Sequence, residues 1–407
     1  MGLGALAIAG VLYSASQLWH RLWDQGQASV LVELGPDDTI AEITPALERF
    51  GAVGEKAFPS VTLAENQDLA QVYLIHVSSR RVQHFIDVLQ ADTENIDHVE
   101  INLEIALPLI PAGEASLAEG VGVLENDPHV HVQWALHAIN GHDAHVLLQG
   151  LRPERKARLA ILDTGIEAAH EDLAAAYLSG TTEDLHGHGT HCAGIAGAVT
   201  NNGLGIASLN WEGRFVELLG FQALGNEGRG TLEQIAQAIV DATKAGVDVI
   251  SMSLGSVAEE PPRVLITAIE YAQDHRIIVA ASAGNSNEDD INHYPSNIEG
   301  VIAVAAVNQD LSKARFSNTV GRLSRPIAAP GVDILSSHLN DSYKPLSGTS
   351  MATPVVTGLL GVMRALRPDL TSGEAYSILH ETGTEVDDTP YVGRVIDAGA
   401  ALRAVLP

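Results

Sequence analysis

Three widely separated segments carry polar residues that together could activate a serine hydroxyl. Asp163 ends an apolar run in ILDTG, His188 lies in HGHGTHCAG, and Ser350 lies in SGTSMATP. A hydroxyl is a poor nucleophile at neutral pH unless a neighbouring base takes its proton. An imidazole titrates in the right range to do so, and a carboxylate fixes its tautomer and stabilises its protonated form. The combination predicts nucleophilic catalysis, with Ser350 as nucleophile, His188 as general base and Asp163 as the carboxylate that orients the base.

Each segment also has another interpretation that the sequence leaves open. Asp163 could form an Asx turn, and Ser350 could cap the start of a helix. The clustered histidines His186, His188 and His191 could instead bind a metal ion in a metal-dependent hydrolase, although the glutamate of the zincin motif is absent. A further alternative is a catalytically silent protein-binding domain.

The chain around these segments alternates apolar strands with helices. Strands that end in Gly or polar residues are predicted at 158–165, 247–255, 276–285 and 300–308, and helices such as 231–245 separate them. This pattern indicates an α/β fold, a doubly wound, mostly parallel sheet with helices on both faces. Because ligands bind beyond the carboxyl ends of parallel strands, the polar residues there are expected to form the site.

Residues 28–107 have the pattern of a separate small α+β unit. Strands are predicted at 29–34, near Val61 and Leu63, at 71–77 and at 99–107, and helices at 39–50 and 79–90. This βαββαβ order is typical of a ferredoxin-like domain. The Pro-, Gly-, Ala- and Glu-rich stretch 108–125 is interpreted as a linker, and residues 126–407 as the α/β domain.

Residues 1–27 are interpreted as a signal peptide or a membrane anchor. Residues 2–19 carry no charge and are largely apolar. The expected location is therefore secreted, extracellular or periplasmic, with anchoring in a membrane through residues 2–19 as the alternative. A buried terminal helix would also have this composition.

Composition excludes several classes of protein. The chain has 51 acidic residues against 23 Lys and Arg, a formal net charge of −28. Such a surface repels phosphate backbones, so no nucleic-acid partner is expected. The single cysteine, Cys192, excludes a disulfide-stapled fold and a cysteine-rich zinc module.

Taken together, the motifs resemble those of the subtilisin-like serine proteases, the subtilases, most closely the thermitase and proteinase K branches. The resemblance covers most of residues 126–407 and rests, in family order, on ILDTGIEAAHEDL, HGHGTHCAG, SMSLGS, ASAGN, APGVDILSS and SGTSMATP. It implies a serine endopeptidase that hydrolyses protein substrates through an acyl-enzyme on Ser350, with no catalytic cofactor. It also implies a self-processing precursor, in which residues 28–107 are an inhibitory propeptide that assists folding and the linker carries the maturation site.

The resemblance also implies roles for further residues. Asn285 is expected to stabilise the oxyanion together with the backbone N–H of Ser350. The substrate-binding edges and the walls of a tolerant, apolar pocket are implied at Ser253, Leu254, Gly255, Gly228, Arg229, Gly230, Ala281, Ala283 and Gly284. A structural Ca²⁺ site is implied with side-chain ligands from Asp127, Asp172 and Asn202 and carbonyl ligands from Val199, Leu204 and Ile206. Cys192 is expected to pack as a small apolar group near the base.

Overall fold

The computed structural model describes residues 26–107, 124–289 and 292–406. Almost all of the segment interpreted as a signal peptide or anchor, and almost all of the linker, therefore lies outside the described residues. In chain order, the strands and helices of the described residues are β1 (Gln27–Leu34), α1 (Ile40–Phe50), β2 (Val53–Lys56), α2 (Gln67–Ala70), β3 (Val72–Ser78), α3 (Val82–Gln90), β4 (Ile96–Ile101), β5 (Glu104–Ala106), α4 (Trp134–Ala138), α5 (Gly141–Leu148), β6 (Ala157–Asp163), β7 (Tyr177–Gly180), α6 (His188–Gly197), β8 (Val216–Gln222), β9 (Arg229–Thr231), α7 (Leu232–Lys244), β10 (Val249–Met252), β11 (Ser256–Val257), α8 (Arg263–Asp274), β12 (Ile278–Ser282), β13 (His293–Tyr294), β14 (Ile302–Val307), β15 (Pro326–Pro330), β16 (Ile334–His338), β17 (Ser342–Leu346), α9 (Thr349–Leu366), α10 (Ser372–Thr382), α11 (Thr389–Val392), β18 (Arg394–Val395) and α12 (Ala398–Val405).

One compact unit contains the described residues from 26 to Glu104 together with Thr231–Gln237 and Pro262–Ala268. Its sheet has the strand order β2-β3-β1-β4, and all neighbouring strands are antiparallel. Apolar residues of α1 and α3, among them Phe50 and Phe85, pack with the sheet in one core. This is the ferredoxin-like βαββαβ arrangement that the sequence predicts.

Two predicted strands of this unit differ in the structure. The second strand is β2, whereas Val61 and Leu63 lie outside any strand. The N–H of Val61 donates to the carbonyl oxygen of Phe58 (3.0 Å), which closes a tight turn. Val61 is buried although it belongs to this turn and not to a strand. The last predicted strand is divided near Asn102 into β4 and β5.

The second unit contains the described residues of Ile105–Gly230, of Ala238–Pro261 and from Ile269 onward. Its main sheet has the strand order β18-β15-β14-β12-β10-β6-β8-β7, and all neighbouring strands are parallel. β10, β12 and β14 are buried along their whole length, as expected for strands that are covered on both faces. The predicted α/β class with a parallel sheet is confirmed.

The strand order reverses at β6, and this reversal positions the polar residues. From β6 the chain continues to β7 and β8 on one side and to β10, β12 and β14 on the other. In open parallel sheets, ligands bind beyond the carboxyl ends of the strands at such a switch point. Asp163 is the last residue of β6, and Ser253 directly follows β10, so both lie at this crevice.

The long helix α9 lies at the centre of the second unit, where it packs against α6, β6, β10, β12 and β14. Within the described ranges, α9 alone has the length and the apolar composition that crossing a membrane would require. Nearly all of α9 is buried in the protein, which is typical of a core helix. The hypothesised anchor at 2–19 lies outside the described part of the chain.

Candidate active site

Asp163 and His188 form a buried carboxylate–imidazole pair. Nδ1 of His188 lies 2.8 Å from Oδ1 and 2.9 Å from Oδ2 of Asp163. Oδ1 of Asp163 also accepts a hydrogen bond from the N–H of Thr164 (2.8 Å). Because a carboxylate only accepts hydrogen bonds, Nδ1 of the imidazole carries a proton, and Nε2 is the nitrogen that can act as a base.

The surroundings of His188 make it a stronger base than free imidazole. Its Nε2 atom is buried and has no hydrogen-bond partner among the described residues. Burial by itself lowers the pKa of the ring, but the Asp163 carboxylate outweighs burial and holds the pKa of His188 well above its ordinary value. A base of raised pKa with one unused nitrogen is suited to accept a proton from a nearby hydroxyl.

The carboxylate of Asp184, which sequence reasoning missed, holds the start of α6. Its Oδ1 accepts the N–H groups of His186 and Gly187 (both 2.9 Å), and its Oδ2 accepts the N–H (2.9 Å) and the hydroxyl (2.8 Å) of Thr190. Although burial raises the pKa of Asp184, these hydrogen bonds outweigh burial and keep it below its ordinary value. The sequence could have indicated this role, because Asp184 is an acidic residue shortly before a helix, where carboxylates satisfy unpaired N–H groups.

Gly189 allows α6 to approach β6 closely enough for the pair to form. A Cβ atom on Gly189 would lie 2.1 Å from the carbonyl oxygen of Gly165 and 3.1 Å from Cβ of Asp163. Any larger residue would therefore separate His188 from Asp163.

Ser350 is the second residue of α9 and exchanges two hydrogen bonds with Ser253. The Ser350 hydroxyl donates to the carbonyl oxygen of Ser253 (3.1 Å), and the Ser253 hydroxyl donates to the carbonyl oxygen of Ser350 (2.8 Å). Pro354, in the second turn of α9, has no N–H to donate to the carbonyl four residues earlier. The Ser350 carbonyl can therefore accept the hydrogen bond from Ser253.

Cys192 lies on α6, one turn after His188, and faces the start of α9. Its buried sulfur is 3.8 Å from Nδ1 of His188 and 3.5 Å from the carbonyl oxygen of Ser350. Burial raises the pKa of the thiol, so it stays protonated at neutral pH. Cys192 thus packs as a small neutral group beside the imidazole, as the sequence predicts.

Asn285 lies beside the start of α9. Its Oδ1 accepts the N–H and the hydroxyl of Thr349 (both 2.9 Å). A Cβ atom built on Gly348 would lie 3.2 Å from Nδ2 of Asn285 and 3.6 Å from the backbone nitrogen of Ser350. Both nitrogens therefore lie close to the position that a side chain at Gly348 would occupy.

The two segments expected to bind an extended substrate flank a short strand of the chain itself. The N–H of Leu107 donates to the carbonyl oxygen of Gly228 (2.8 Å), and Ala106 forms an antiparallel bridge with Gly255. Residues 105–107 therefore lie between these two edges, as a peptide bound by β-augmentation would. Of the other residues expected here, Arg229 and Gly230 belong to β9, and Ser253 and Leu254 connect β10 to Gly255.

The expected pocket walls Ala281, Ala283 and Gly284 lie at the end of β12, where both alanines are buried. A histidine that sequence reasoning missed, His293, packs against this segment. A Cβ atom on Gly284 would lie 2.8 Å from Nε2 of His293, and one on Gly255 would lie 2.4 Å from its Cε1. His293 therefore lies between the pocket-wall segment at Gly284 and the substrate-binding segment at Gly255.

The side chains expected to bind calcium lie together. Asp127 accepts the N–H groups of Asn201 (2.8 Å) and Asn202 (3.1 Å), and Asp172 accepts Nδ2–H of Asn202 (2.9 Å) and the N–H of Ile206 (2.8 Å). Burial raises the pKa of both carboxyl groups, that of Asp172 to about 6. Two buried carboxylates beside one asparagine concentrate negative charge that a cation with a preference for oxygen ligands would neutralise.

The clustered histidines of HGHGTHCAG do not converge on a common point. Nδ1 of His188 bonds to Asp163, whereas Nε2 of His191 lies 2.8 Å from the carbonyl oxygen of Lys344. Burial lowers the pKa of His191 to about 3, so its ring is neutral and donates this bond. Within the described parts of the chain, the residues close enough to share a metal ion with His188 are Asp163 and Cys192, whereas His186 and His191 belong to no such group. The three-histidine site on which the metal-dependent hydrolase rests is therefore not formed.

Comparisons with known proteins agree with this geometry. A family model described as "Subtilase family" matches residues 154–392. Thermitase of Thermoactinomyces vulgaris is 40% identical over 215 residues, which cover 51% of this chain and 74% of thermitase. An alkaline protease of Alkalihalobacillus alcalophilus is 31% identical over 375 residues, which cover 85% of this chain and 95% of that protein. A solved protease structure from Pseudoalteromonas arctica matches with a TM-score of 0.62 and 28% identity, over 70% of this chain and 100% of that one.

Proposed function

Because the chain belongs to the subtilase family and is a serine endopeptidase, we propose that it cuts proteins through an acyl-enzyme on Ser350. Asp163 orients His188, and Nε2 of His188 takes the proton of the Ser350 hydroxyl. The observation that carries this proposal is the buried Asp163–His188 pair, whose second ring nitrogen has no hydrogen-bond partner among the described residues. A catalytically silent domain would have no need of this pair.

The Ser350 hydroxyl must turn before it reacts, because it donates to the Ser253 carbonyl. Rotation about the Cα–Cβ bond of Ser350 moves Oγ to another staggered position while α9 stays in place. Catalytic hydrogen bonds are often poorly formed without substrate and tighten in the Michaelis complex. The hydroxyl proton then passes to Nε2 of His188 as Oγ bonds to the scissile carbonyl carbon. His188 returns that proton to the leaving amine, and water hydrolyses the acyl-enzyme with His188 again as the base.

Asn285 and the backbone N–H of Ser350 stabilise the negative charge that develops on the scissile carbonyl oxygen. Both nitrogens lie within 3.6 Å of the position that a Cβ atom on Gly348 would occupy. The hydrogen bonds from Thr349 to Oδ1 of Asn285 fix the amide, so Nδ2 is oriented before the substrate arrives. Donors oriented in advance stabilise an oxyanion because little reorganisation is needed during the reaction.

Substrates bind in an extended form between the Gly228 and Gly255 edges. The support is that residues 105–107 of the same chain already lie there, paired with both edges. Because the bridge between Ala106 and Gly255 is antiparallel, the strand at 105–107 runs from Gly255 towards Ser253. The Ser253 carbonyl accepts the hydrogen bond of the Ser350 hydroxyl, so the strand also runs towards Ser350. A substrate strand in this register would present its next residues to the nucleophile.

Residues 28–107 act as an inhibitory propeptide, and the chain processes itself within the linker 108–125. Besides the strand at 105–107, two side chains of this region satisfy the first N–H groups of helices, which have no acceptor within a helix. Glu100 accepts the N–H groups of Arg263 (3.0 Å) and Val264 (2.8 Å) at the start of α8. Asn102 accepts the N–H of Glu233 (3.0 Å) at the start of α7.

A calcium ion bound by Asp127, Asp172 and Asn202 stabilises the protease, with carbonyl oxygens of Val199, Leu204 and Ile206 as further ligands. The donor set fits, because carboxylate, amide and carbonyl oxygens are the ligands that Ca²⁺ prefers. The segments are also linked by hydrogen bonds, since the N–H of Val199 donates to the carbonyl oxygen of Asp172 (3.2 Å) and the N–H of Leu204 to Oδ1 of Asn202 (2.7 Å).

The protein is exported, and residues 1–27 direct its export or anchor it. The support is the uncharged, apolar composition of residues 2–19. A location outside the cytoplasm suits a protease that is held inactive by its own propeptide until it is processed.

A fluorophosphonate probe, which labels activated serines, tests the assignment of Ser350. We expect the wild type and Ser347→Ala to be labelled, and Ser350→Ala to remain unlabelled. Ser347 is the matched control because it lies in the same SGTS motif. Labelling of Ser350→Ala at the rate of the wild type would refute the assignment.

N-terminal sequencing of the purified active species tests self-processing. The expected mature end lies within 108–125, and the Ser350→Ala chain should keep its propeptide. A Ser350→Ala chain that is shortened at the same position in the absence of other proteases would show that cleavage does not depend on Ser350.

A further inference from the structure

A second cluster of titratable side chains lies in the α/β unit, separate from the catalytic pair. It contains Glu125, which precedes α4, and His142 and His145, three residues apart on α5. Nδ1 of His142 lies 2.8 Å from Oε1 of Glu125, and Nδ1 of His145 makes a short contact with the same oxygen. One carboxylate oxygen and one nitrogen from each ring all lie within 4.8 Å of one another.

The neighbours of His145 fit two arrangements of its ring. Nδ1 faces a carboxylate oxygen of Glu125, and Nε2 lies 2.6 Å from the carbonyl oxygen of Ser208. An ionised carboxylate and a carbonyl are both acceptors, whereas a neutral imidazole has only one N–H to donate. A ring with two protons would satisfy both neighbours, and so would a ring whose Nε2–H donates to Ser208 while Nδ1 binds a metal ion. In the second arrangement, the carbonyl of Ser208 is the outer partner that orients a metal-binding histidine.

The other oxygen of Glu125 favours the second arrangement. Oε2 of Glu125 is buried and has no hydrogen-bond partner among the described residues, and the residue as a whole is only 7% exposed. A buried carboxylate oxygen without a partner is costly unless a cation lies against it. This observation is independent of the spacing of the two histidines and points to a missing positive charge.

We propose that Glu125, His142 and His145 bind a divalent transition-metal ion of the zinc class. Two imidazole nitrogens and one carboxylate oxygen are a ligand set that Zn²⁺ accepts, with water as the fourth ligand. The side chains of Glu125 and His145 are fully buried, but that of His142 is 25% exposed, which provides the entry route and the side for the water. The site is distinct from the calcium site, whose proposed ligands are all oxygen atoms.

The site would fasten the end of the linker to α5. Glu125 belongs to the last residues of the linker, and the histidines belong to a helix packed in the core of the α/β unit. Metal bound by all three would resist displacement of the new N-terminal segment after the linker is cut.

The test uses the full chain with Ser350→Ala, which prevents self-digestion, in saturating Ca²⁺. Titration with Co²⁺, a spectroscopic substitute for Zn²⁺, should give one equivalent bound, with visible absorption bands of a four-coordinate ion. Calorimetry with Zn²⁺ should give the same stoichiometry, a readout that does not depend on proteolysis. His142→Ala should weaken binding by at least about tenfold, in line with the loss of a metal-binding or orienting side chain.

The matched control is His137→Ala, since His137 is an exposed histidine on the neighbouring helix α4. His137→Ala should bind one equivalent with unchanged affinity. Equal affinity in His142→Ala and His137→Ala would overturn the proposal, and so would the absence of binding to the Ser350→Ala parent at millimolar Co²⁺ and Zn²⁺. Glu125→Gln, which keeps the shape of the side chain, should also weaken binding. It is the test variant if His142→Ala fails to fold.

Discussion

Replacing Asn285 and Thr349 one at a time should separate the catalytic from the structural role of the Asn285 side chain. Nδ2 of Asn285 is the proposed oxyanion donor, whereas Oδ1 accepts two hydrogen bonds from Thr349 at the start of α9. Asn285→Ala removes both functions at once. Thr349→Val removes the hydroxyl that donates to Oδ1 and that accepts the N–H of Gly284 (3.2 Å), but it leaves Nδ2 in place, so it is the matched control.

The two roles predict effects of different size on different measurements. Loss of one oxyanion donor lowers kcat by about 10²–10³-fold, or about 2.7–4 kcal/mol, a range measured on subtilisin. Loss of the hydrogen bonds to Oδ1 leaves the buried N–H of Thr349 without its acceptor, which costs about 1–3 kcal/mol of folding stability. Asn285→Ala should therefore lower both kcat and Tm. Thr349→Val should lower Tm and change kcat by only a few fold.

The assay is steady-state hydrolysis of a peptide substrate, with Tm measured on the same preparations in the presence of Ca²⁺. KM of Asn285→Ala should remain close to that of the wild type, because the donor acts mainly in the transition state. If Thr349→Val lowered kcat as much as Asn285→Ala, the loss would come from disorder at the start of α9. The assignment of Nδ2 as an oxyanion donor would then be wrong.

Three further predictions follow from the site. The Asp163 carboxylate holds the pKa of His188 above its ordinary value, and only the neutral ring is a base, so kcat/KM should rise with pH through a pKa above 6.5. Asp163→Asn should move this rise to lower pH and lower kcat by about 10⁴-fold; a pH profile that does not move would contradict the pairing. Gly189→Ala should lower Tm and kcat, because its Cβ would lie 2.1 Å from a backbone oxygen, whereas Gly373→Ala, with no atom within 4 Å of its Cβ, should lower neither. Burial raises the pKa of Asp172 to about 6. In EGTA the folded state should therefore lose stability as pH rises from about 4 to about 6, because the carboxyl ionises more readily in the unfolded chain. Ca²⁺ should restore the lost stability above pH 6. Melting curves of the wild type and Asp172→Asn at several pH values test this, since Asp172→Asn should lack this pH-dependent loss and respond less to Ca²⁺.

Local sequence was sufficient to predict the fold class and most of the secondary structure. The apolar runs that became β6, β10, β12 and β14 are continuous, because strands covered on both faces need apolar residues at every position. The capping box at Thr39 and Glu42 likewise places the start of α1 within a few residues. The strand predicted near Val61 was wrong, because a short apolar pair in a tight turn has the same local composition as a strand.

The interactions around the catalytic pair were less accessible from the sequence. Asp184 bonds to residues close to it in sequence, and an acid before a helix could have identified it. His293 gives no such signal, since its contacts with the segments of Gly255 and Gly284 depend on how distant loops pack. The hydrogen bond from Ser350 to Ser253 likewise depends on a side-chain rotamer in the tertiary structure.

The sequence by itself determined which groups could react, because residue type fixes pKa range, nucleophilicity and ligand preference, and the order of Asp163, His188 and Ser350 is read directly from the chain. Only the tertiary structure decided which of these groups meet. It pairs His188 with Asp163 and keeps His191 on the carbonyl of Lys344, although both histidines lie in the same short motif. It also joins Glu125 to α5, although nothing in their spacing distinguishes these histidines from exposed ones. The physical reason is that spacing along a helix or strand fixes only which face a side chain occupies, whereas strand order and close packing between distant segments fix what that face contacts.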